Sequence, residues 1–135
     1  MEALDGNAIA GGSGLVPLMA MLRHRAASSS TVAARLLLSA RVFEDVLYHA
    51  ELGQLAKGDG VAVDYTFTRR APPGWGGFAR RIDHEMLAAV SPVPAQRPQI
   101  FICGPTAFVE QAADLLVSLG HSPGAIRTER FGPTG

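Results

Sequence analysis

The residues best suited to chemistry lie in two glycine turns and in a few arginines. The first turn, in the segment IAGGSGLVPLMAML, carries Gly11, Gly12, Ser13, Gly14 and Pro17. Its spacing is close to a dinucleotide-binding glycine motif, although a proline stands where the third glycine would be. Because such a turn presents backbone N–H groups at the positive end of a helix, it is suited to an anion. The alternative is a plain tight turn between a strand and a helix.

A second glycine turn follows the apolar run IFIC. Gly104, Pro105 and Thr106 come directly after this run and open a helical pattern. Two such turns at the carboxyl ends of strands in one parallel sheet meet at the crevice where doubly wound folds bind ligands. The second turn therefore strengthens the interpretation of the first. Cys103 would lie at the floor of the crevice, unless it is simply a small buried apolar residue.

Arginine supplies every cation except one among the twelve Lys and Arg residues. This usage indicates either a composition bias or a need for bidentate phosphate binding. Ser39 and Arg41 end the second predicted strand, where an NAD-preferring fold usually has an acid. Thr68 and Arg69 end the third, and Arg81 follows the loop after it. We expect these arginines to surround the 2′-phosphate of NADPH; the alternative is that they are solvated loop residues.

The last predicted strand ends in an acid and an aromatic residue. Glu129 and Phe131, in ERFG, would face a planar ring system at the lip of the crevice, unless they are packed and exposed in the ordinary way. Other sites are excluded, since no lysine follows the first glycine turn as in P-loop NTPases and no nucleophile elbow occurs. The histidines lack metal-ligand spacing, and a single cysteine excludes an internal disulfide.

Length and composition predict one globular domain. The 135 residues are 47% hydrophobic and 18% charged, which is enough apolar material for a core. A formal net charge of zero argues against a protein that binds nucleic acid or a membrane surface. No run of residues has the length of a transmembrane helix or the pattern of a signal peptide, so we expect a cytoplasmic location.

The elements that position these residues alternate between short apolar runs and helical patterns. This alternation predicts an α/β fold with a doubly wound, five-stranded parallel sheet and helices on both faces. The first strand is the weakest match, because LDGNAIAGG has polar residues where a buried strand should be apolar. Glu44 and Asp45 are expected in the first turn of the second helix. The predicted strands are 8–10, 35–40, 61–68, 99–103 and 125–131, and the predicted helices are 16–25, 44–56, 83–90 and the second glycine turn to 119.

Together these segments resemble the nucleotide-binding half of ferredoxin reductase-type flavoenzymes. GGSGLVPLMAML, SARVFEDVLYHAEL, YTFTRRAPPGWGGFARRI and the run from IFICGPTAFVE to ERFG come in that family's order and cover nearly the whole chain. The most specific pieces are CGPTAFVE and ERFG. The resemblance implies an NAD(P)H-binding domain over residues 1–135. It also implies FAD on a missing β-barrel domain or on a partner chain, since that domain's arginine–aromatic–serine motif does not occur here.

The resemblance implies roles for the candidate residues. The first glycine turn, from Gly11 to Pro17, would support the pyrophosphate and the nicotinamide side of NAD(P)H. Arg41, Arg69 and Arg81 match positions that bind the 2′-phosphate in NADPH-using members. Cys103 matches a cysteine beside the nicotinamide, followed by the turn from Gly104 to Thr106. Glu129 and Phe131 match a C-terminal acid and aromatic near the flavin, so Cys103 and Glu129 are the expected catalytic pair.

The expected function is the NAD(P)H-binding half of a flavin-dependent oxidoreductase, with NADPH favoured over NADH. Hydride would pass from nicotinamide C4 to flavin N5 and electrons onward to a ferredoxin or oxygenase-type acceptor. Activity is expected to need a flavin domain or subunit. One alternative is a non-catalytic module that binds nucleotide or a protein partner. Another is a degenerate domain that binds nothing and forms a homodimer through the surface that a flavin domain would cover.

Overall fold

Five parallel strands form one sheet in the computed structural model, which describes residues 6–30, 32–58 and 60–131. Across the described sheet the order is β3–β2–β1–β4–β5, and every neighbouring pair is parallel. This order confirms the predicted doubly wound sheet. Asp59 of a predicted turn and Gly132 of ERFG lie outside the described residues. The strands are β1 (Asn7–Gly11), β2 (Ala34–Val42), β3 (Val61–Arg70), β4 (Ile100–Gly104) and β5 (Ile126–Arg130).

Helices cover both faces of the sheet, as predicted, and each face has its own core. The helices α1 and α2 pack on one face with Ala8 and Ala10, whereas α3 and α4 pack on the other with Ile9. Successive strand residues point to opposite faces, so the central strands bury side chains on both sides. The helices are α1 (Leu15–Ala27), α2 (His49–Lys57), α3 (His84–Val90) and α4 (Thr106–Ser118).

The first strand, the weakest match in the sequence, lies at the centre of the sheet. Its residues Ala8, Ile9 and Ala10 are buried, and it pairs with β2 on one side and β4 on the other. Its apolar part is only three residues long, and two of these are alanines. The strand therefore depends on its two neighbours for its position, which is why its own sequence indicates it poorly.

The second helix begins later than the sequence predicts. The expectation that a helix covers 44–56, with Glu44 and Asp45 in its first turn, is wrong. Those acids belong to a separate 3-10 turn, and α2 begins at His49. Tyr48 before it has a φ of 56°, a left-handed conformation that interrupts the helical backbone between the two elements. The end of β2 is thus followed by an exposed segment that runs past the carboxyl edge of the sheet.

The segment after β3 is irregular, as predicted, but it is anchored to the strand. The Thr66 hydroxyl is buried; it donates to the Arg80 carbonyl oxygen and accepts from the Arg80 N–H. Trp75 packs edge-on against Phe67, with ring centroids 5.1 Å apart. These contacts hold the returning chain beside the end of β3. They bring Arg81 to the same edge of the sheet as the two glycine turns.

Candidate functional site

A cleft of about 600 Å³ opens at the carboxyl edge of the sheet. It lies where the chain leaves β1 for α1 on one face and β4 for α4 on the other. This reversal of direction between adjacent strands is the point at which doubly wound folds bind ligands. Its walls come from the first glycine turn, the ends of β2 and β3, the segment 81–82 and the start of α4.

Half of the residues singled out from the sequence line this cleft. They are Gly11, Gly12, Ser13, Ser39, Arg41, Thr68, Arg81 and Pro105. The other half are not among the lining residues. These are Gly14, Pro17, Arg69, Cys103, Gly104, Thr106, Glu129 and Phe131. The structure thus brings the strand ends and both glycine turns together, while the individual roles of these residues stay predictions.

The first glycine turn is packed against the second at backbone distance. Gly12–Gly14 form a 3-10 turn that leads into α1, and Pro17 lies in the first turn of that helix, as predicted. Gly14 is buried. A methyl group on Gly14 would lie 2.1 Å from the carbonyl oxygen of Cys103 and 2.4 Å from its carbonyl carbon. Only glycine fits there, so the start of α1 is fixed directly to β4.

The start of α1 and the start of α4 are both suited to a negative ligand. Neither helix has an acid in its first turn, and neither is capped by the side chain of its N-cap residue. The positive ends of the two helix dipoles consequently lack a carboxylate of their own helix. Since Ser13 and Pro105 at these starts line the cleft, both positive ends are close to the same ligand space.

Two arginines add positive charge to the cleft, one at the end of β2 and one in the segment that follows the loop after β3. Arg41 Nε lies 3.4 Å from the Asp45 carboxylate, and both side chains are largely exposed. Such an exposed pair contributes little to stability, so this guanidinium is able to exchange its partner for a phosphate. Arg80 Nε, in contrast, is held by Asp83 at 2.6 Å. Arg81, not Arg80, is therefore the second cation of the lining.

The Cys103 thiol is buried under the first glycine turn and is protonated at neutral pH. Burial raises the pKa of this thiol to about 12, and the charge of the Glu129 carboxylate adds to the shift. Glu129 is the register partner of Cys103 on β5. Only the thiolate is strongly nucleophilic, so this geometry does not activate Cys103 for covalent chemistry.

Alkylation of Cys103 by iodoacetamide at pH 8 is therefore expected to be at least ~100-fold slower than that of a free thiol with a pKa of about 8.5. The rate should rise about tenfold per pH unit above pH 8 as long as the chain stays folded, because the small fraction of thiolate limits it. Mass spectrometry of the quenched reaction measures both quantities. The same chain in urea serves as the control and should react like a free thiol. Rapid alkylation of the folded chain at pH 8 would contradict the protonated, buried state.

Glu129 and Phe131 border the second glycine turn without lining the cleft. Glu129 is exposed on β5, and the Phe131 N–H donates to the Gly104 carbonyl oxygen at 3.0 Å. The Phe131 side chain is 38% exposed. An acid and an exposed aromatic ring thus lie on the β4–β5 side of the cleft. Their predicted place near a flavin stays a prediction.

Several lining residues were not identified from the sequence. Asp45 and Leu47 reach the cleft because α2 starts late, and no sequence signal marked that start. Phe108 and Gln111 lie three residues apart on the first turns of α4 and also line the cleft. Their spacing puts them on one face of the helix, directly after a glycine turn. That spacing is the signal that would have identified them.

Two other kinds of site are unsupported in the part of the chain that the structure describes. In residues 6–30, 32–58 and 60–131, no three His, Cys, Asp or Glu side chains are grouped closely enough to hold a metal ion. No helix within those ranges combines the length and the apolar composition that crossing a bilayer needs.

Sequence comparisons point to one class of protein. The profile of the oxidoreductase NAD-binding domain matches residues 8–114. The chain is 30% identical over 128 residues to the glycine betaine monooxygenase reductase subunit of Pseudomonas aeruginosa, covering 93% of this chain and 35% of that protein. It is 32% identical over 121 residues to NADH-cytochrome b5 reductase 1 of Aspergillus terreus, covering 84% and 40%. The chain thus spans well under half the length of these relatives.

Solved structures of reductases have the same fold as this chain. The cytochrome b5 reductase domain of Ulva prolifera nitrate reductase superposes with a TM-score of 0.81 at 29% identity, covering 96% of this chain and 49% of that one. A ferredoxin NADP+ reductase from Neisseria gonorrhoeae, solved with FAD and NADP bound, superposes with a TM-score of 0.76 at 20% identity. That likeness covers 96% of this chain and 56% of the other, and it concerns the fold alone.

Proposed function

Since this chain belongs to the family of oxidoreductase NAD-binding domains, we propose that its cleft binds NADPH as the pyridine-nucleotide half of a flavin-dependent reductase. One observation carries the proposal. Two glycine turns meet at the switch point of the sheet, and each opens a helix with no acid in its first turn and no side-chain cap. Such a pair of positive helix ends suits a dinucleotide, whose pyrophosphate needs N–H donors and positive potential.

Residues in two parts of the cleft would bind two different parts of the nucleotide. The N–H groups around Gly12 and Ser13 would hold the pyrophosphate. Ser39, Arg41 and Thr68, at the ends of β2 and β3, would hold the phosphorylated ribose. Bound NADPH supplies a hydride from nicotinamide C4, for which flavin N5 on another domain or chain is the acceptor. The side of the cleft next to Gly104 would then take the nicotinamide.

Calorimetric titration of the purified chain tests the proposal. We expect saturable binding of NADP+ and NADPH with a one-to-one ratio. An absence of heat and of any ligand-induced rise in Tm with both nucleotides would refute it, because a ligand that binds the folded state stabilises that state. Oxidation of NADPH is expected only when a flavin domain is supplied. Binding without oxidation even then would identify a non-catalytic nucleotide-binding module.

The preference for NADPH depends on Arg41. One relative is named for NADH and one structural neighbour for NADP+. The choice between NADPH and NADH must therefore come from the residues of this chain. The second strand ends in Arg41 rather than in an acid, and the carboxylate beside it, Asp45, is only loosely paired with it. Arg81 adds a second guanidinium to the lining. Two arginines of this kind suit bidentate binding of a 2′-phosphate.

Arg41→Ala is expected to weaken NADPH binding about tenfold and NADH binding less than twofold, because only NADPH presents a phosphate to the guanidinium. Calorimetry with both nucleotides measures the two Kd values. Arg23→Ala is the matched control, since Arg23 lies on α1 and pairs with Glu51 at 2.6 Å instead of lining the cleft. Equal losses for NADPH and NADH in Arg41→Ala would refute the assignment of Arg41 to the 2′-phosphate.

The electron acceptor is proposed by class. Relatives of this chain are named as a monooxygenase reductase subunit and as cytochrome b5 reductases, and we propose a ferredoxin or oxygenase-type acceptor that receives electrons from the flavin. Glu129 and Phe131, which border the second glycine turn, would face that flavin. We also propose that the protein is cytoplasmic and that two copies of this chain form a homodimer. Cell fractionation and analytical ultracentrifugation test them.

A further inference from the structure

Phe108 packs against both glycine turns at once. A methyl group on Gly11 would lie 2.7 to 2.9 Å from three carbons of the Phe108 ring. A methyl group on Gly104 would lie 3.0 Å from Phe108 Cδ1. The ring therefore occupies the space that side chains at both positions would need. Position 11 therefore requires glycine because a side chain there would overlap the Phe108 ring.

The contact also includes the backbones of the two turns. The same methyl group on Gly104 would lie 3.2 Å from the Gly11 carbonyl oxygen and 3.3 Å from Gly11 Cα. Phe108 itself is half-buried, packs against the core beneath α4, and lines the cleft. Its ring thus has one side in the core, one edge on both turns and one side open to the ligand space.

Strand pairing and the close approach of Gly14 to Cys103 already fix the distance between the two glycine turns. We propose that Phe108 is a positioning residue whose ring holds the backbones of both turns in the orientation in which a dinucleotide is able to contact both. This inference rests on the proposed nucleotide binding. It adds a specific consequence, because a ligand that spans the two turns depends on Phe108, whereas a fragment that reaches only the first turn does not. The 2′,5′-ADP fragment carries the phosphorylated ribose and one phosphate of the pyrophosphate, so it reaches the ends of β2 and β3 and the first glycine turn but not the second.

The test compares two ligands in one variant. In Phe108→Leu, the Kd for NADP+ is expected to rise at least tenfold while the Kd for 2′,5′-ADP changes less than twofold. Calorimetry gives both values, and thermal unfolding shows that the variant is folded. Leu115→Ala is the matched control, since Leu115 is half-buried on the same helix and packs on the same core without lining the cleft. Leu115→Ala should lower the stability of the chain but leave the ratio of the Kd for NADP+ to the Kd for 2′,5′-ADP unchanged.

A double variant tests the steric part of the inference. Gly11→Ala alone is expected to lower Tm by roughly 5–10 °C, because its methyl group meets the Phe108 ring. In the Phe108→Leu background the same substitution should lower Tm by less than half as much, since the smaller side chain leaves room. Additive losses of Tm would overturn the positioning role.

The outcomes separate this inference from the proposed function. If the wild-type chain binds both ligands and Phe108→Leu weakens both by the same factor, the positioning role is refuted and nucleotide binding stands. If the wild-type chain binds neither ligand, the proposed function fails and the positioning role fails with it. A rise in the Kd for NADP+ alone, with the control ratio unchanged, supports both.

Discussion

Gly14→Ala is expected to lower the free energy of unfolding by at least about 4 kcal/mol, a large part of the 5–15 kcal/mol that typical domains have. The new methyl group would lie 2.1 Å from the Cys103 carbonyl oxygen and 2.8 Å from the Gly104 N. These are backbone atoms of β4, which is paired with β1 on one side and β5 on the other. Because β4 cannot shift without breaking that pairing, the clash must displace α1.

Urea unfolding followed by circular dichroism measures this loss. Gly53→Ala is the matched control, because Gly53 lies in the middle of α2 and a methyl group there meets nothing within 4 Å. That substitution should raise the free energy of unfolding by roughly 0.5–1 kcal/mol, through the helix propensity of alanine. Similar stabilities for the two variants would show that α1 does not approach β4 as closely as described.

Ser13→Asp is expected to weaken NADP+ binding about 100-fold without destabilising the fold. The carboxylate would lie at the start of α1, where the first turn has no acid, and would repel the pyrophosphate that this helix end is proposed to bind. The same carboxylate should raise the free energy of unfolding by roughly 0.3–1 kcal/mol through the helix dipole. Binding and stability are therefore expected to change in opposite directions.

Ser13→Asn separates charge from size in this experiment. Asparagine is similar in shape to aspartate, so any loss that it causes reports crowding in the cleft rather than repulsion. Calorimetry and thermal unfolding of both variants give the two quantities. If Ser13→Asp bound NADP+ as well as Ser13→Asn does, the pyrophosphate would not lie at the start of α1.

The sheet could be predicted from the sequence because its strands carry strong local signals. The run from Leu36 to Ala40 is buried as the sequence indicated, and Gly120 follows α4 with a φ of 108°, as expected for a glycine after a helix. The start of α2 could not be predicted. Val46 and Leu47 fit a helical stripe in sequence, but Tyr48 adopts a left-handed conformation that local patterns do not reveal.

The sequence predicted the site residues by their positions at strand ends. It did not predict which residue at each strand end faces the cleft. Thr68 lines it and Arg69 does not, because successive residues of a strand point to opposite faces. Arg81 lines it, whereas Arg80 is held by Asp83. Sequence identifies the strand end, but only packing decides which neighbour faces the ligand. For Phe108, the sequence spacing indicates the helix face that borders the cleft, but its contact with both glycine turns depends on the distance between α4 and β1.

A pyridine nucleotide is proposed to bind where the two glycine turns meet. Titration of the ¹⁵N-labelled chain with NADP+, followed by amide chemical shifts, tests it most directly. The predicted result is saturable shifts at Gly12, Ser13 and Thr106, with little change at His121, which lines a separate cavity formed in part by Pro94 and Gly124. Saturable shifts around His121 with none at the two turns, or no shifts at all, would contradict the account.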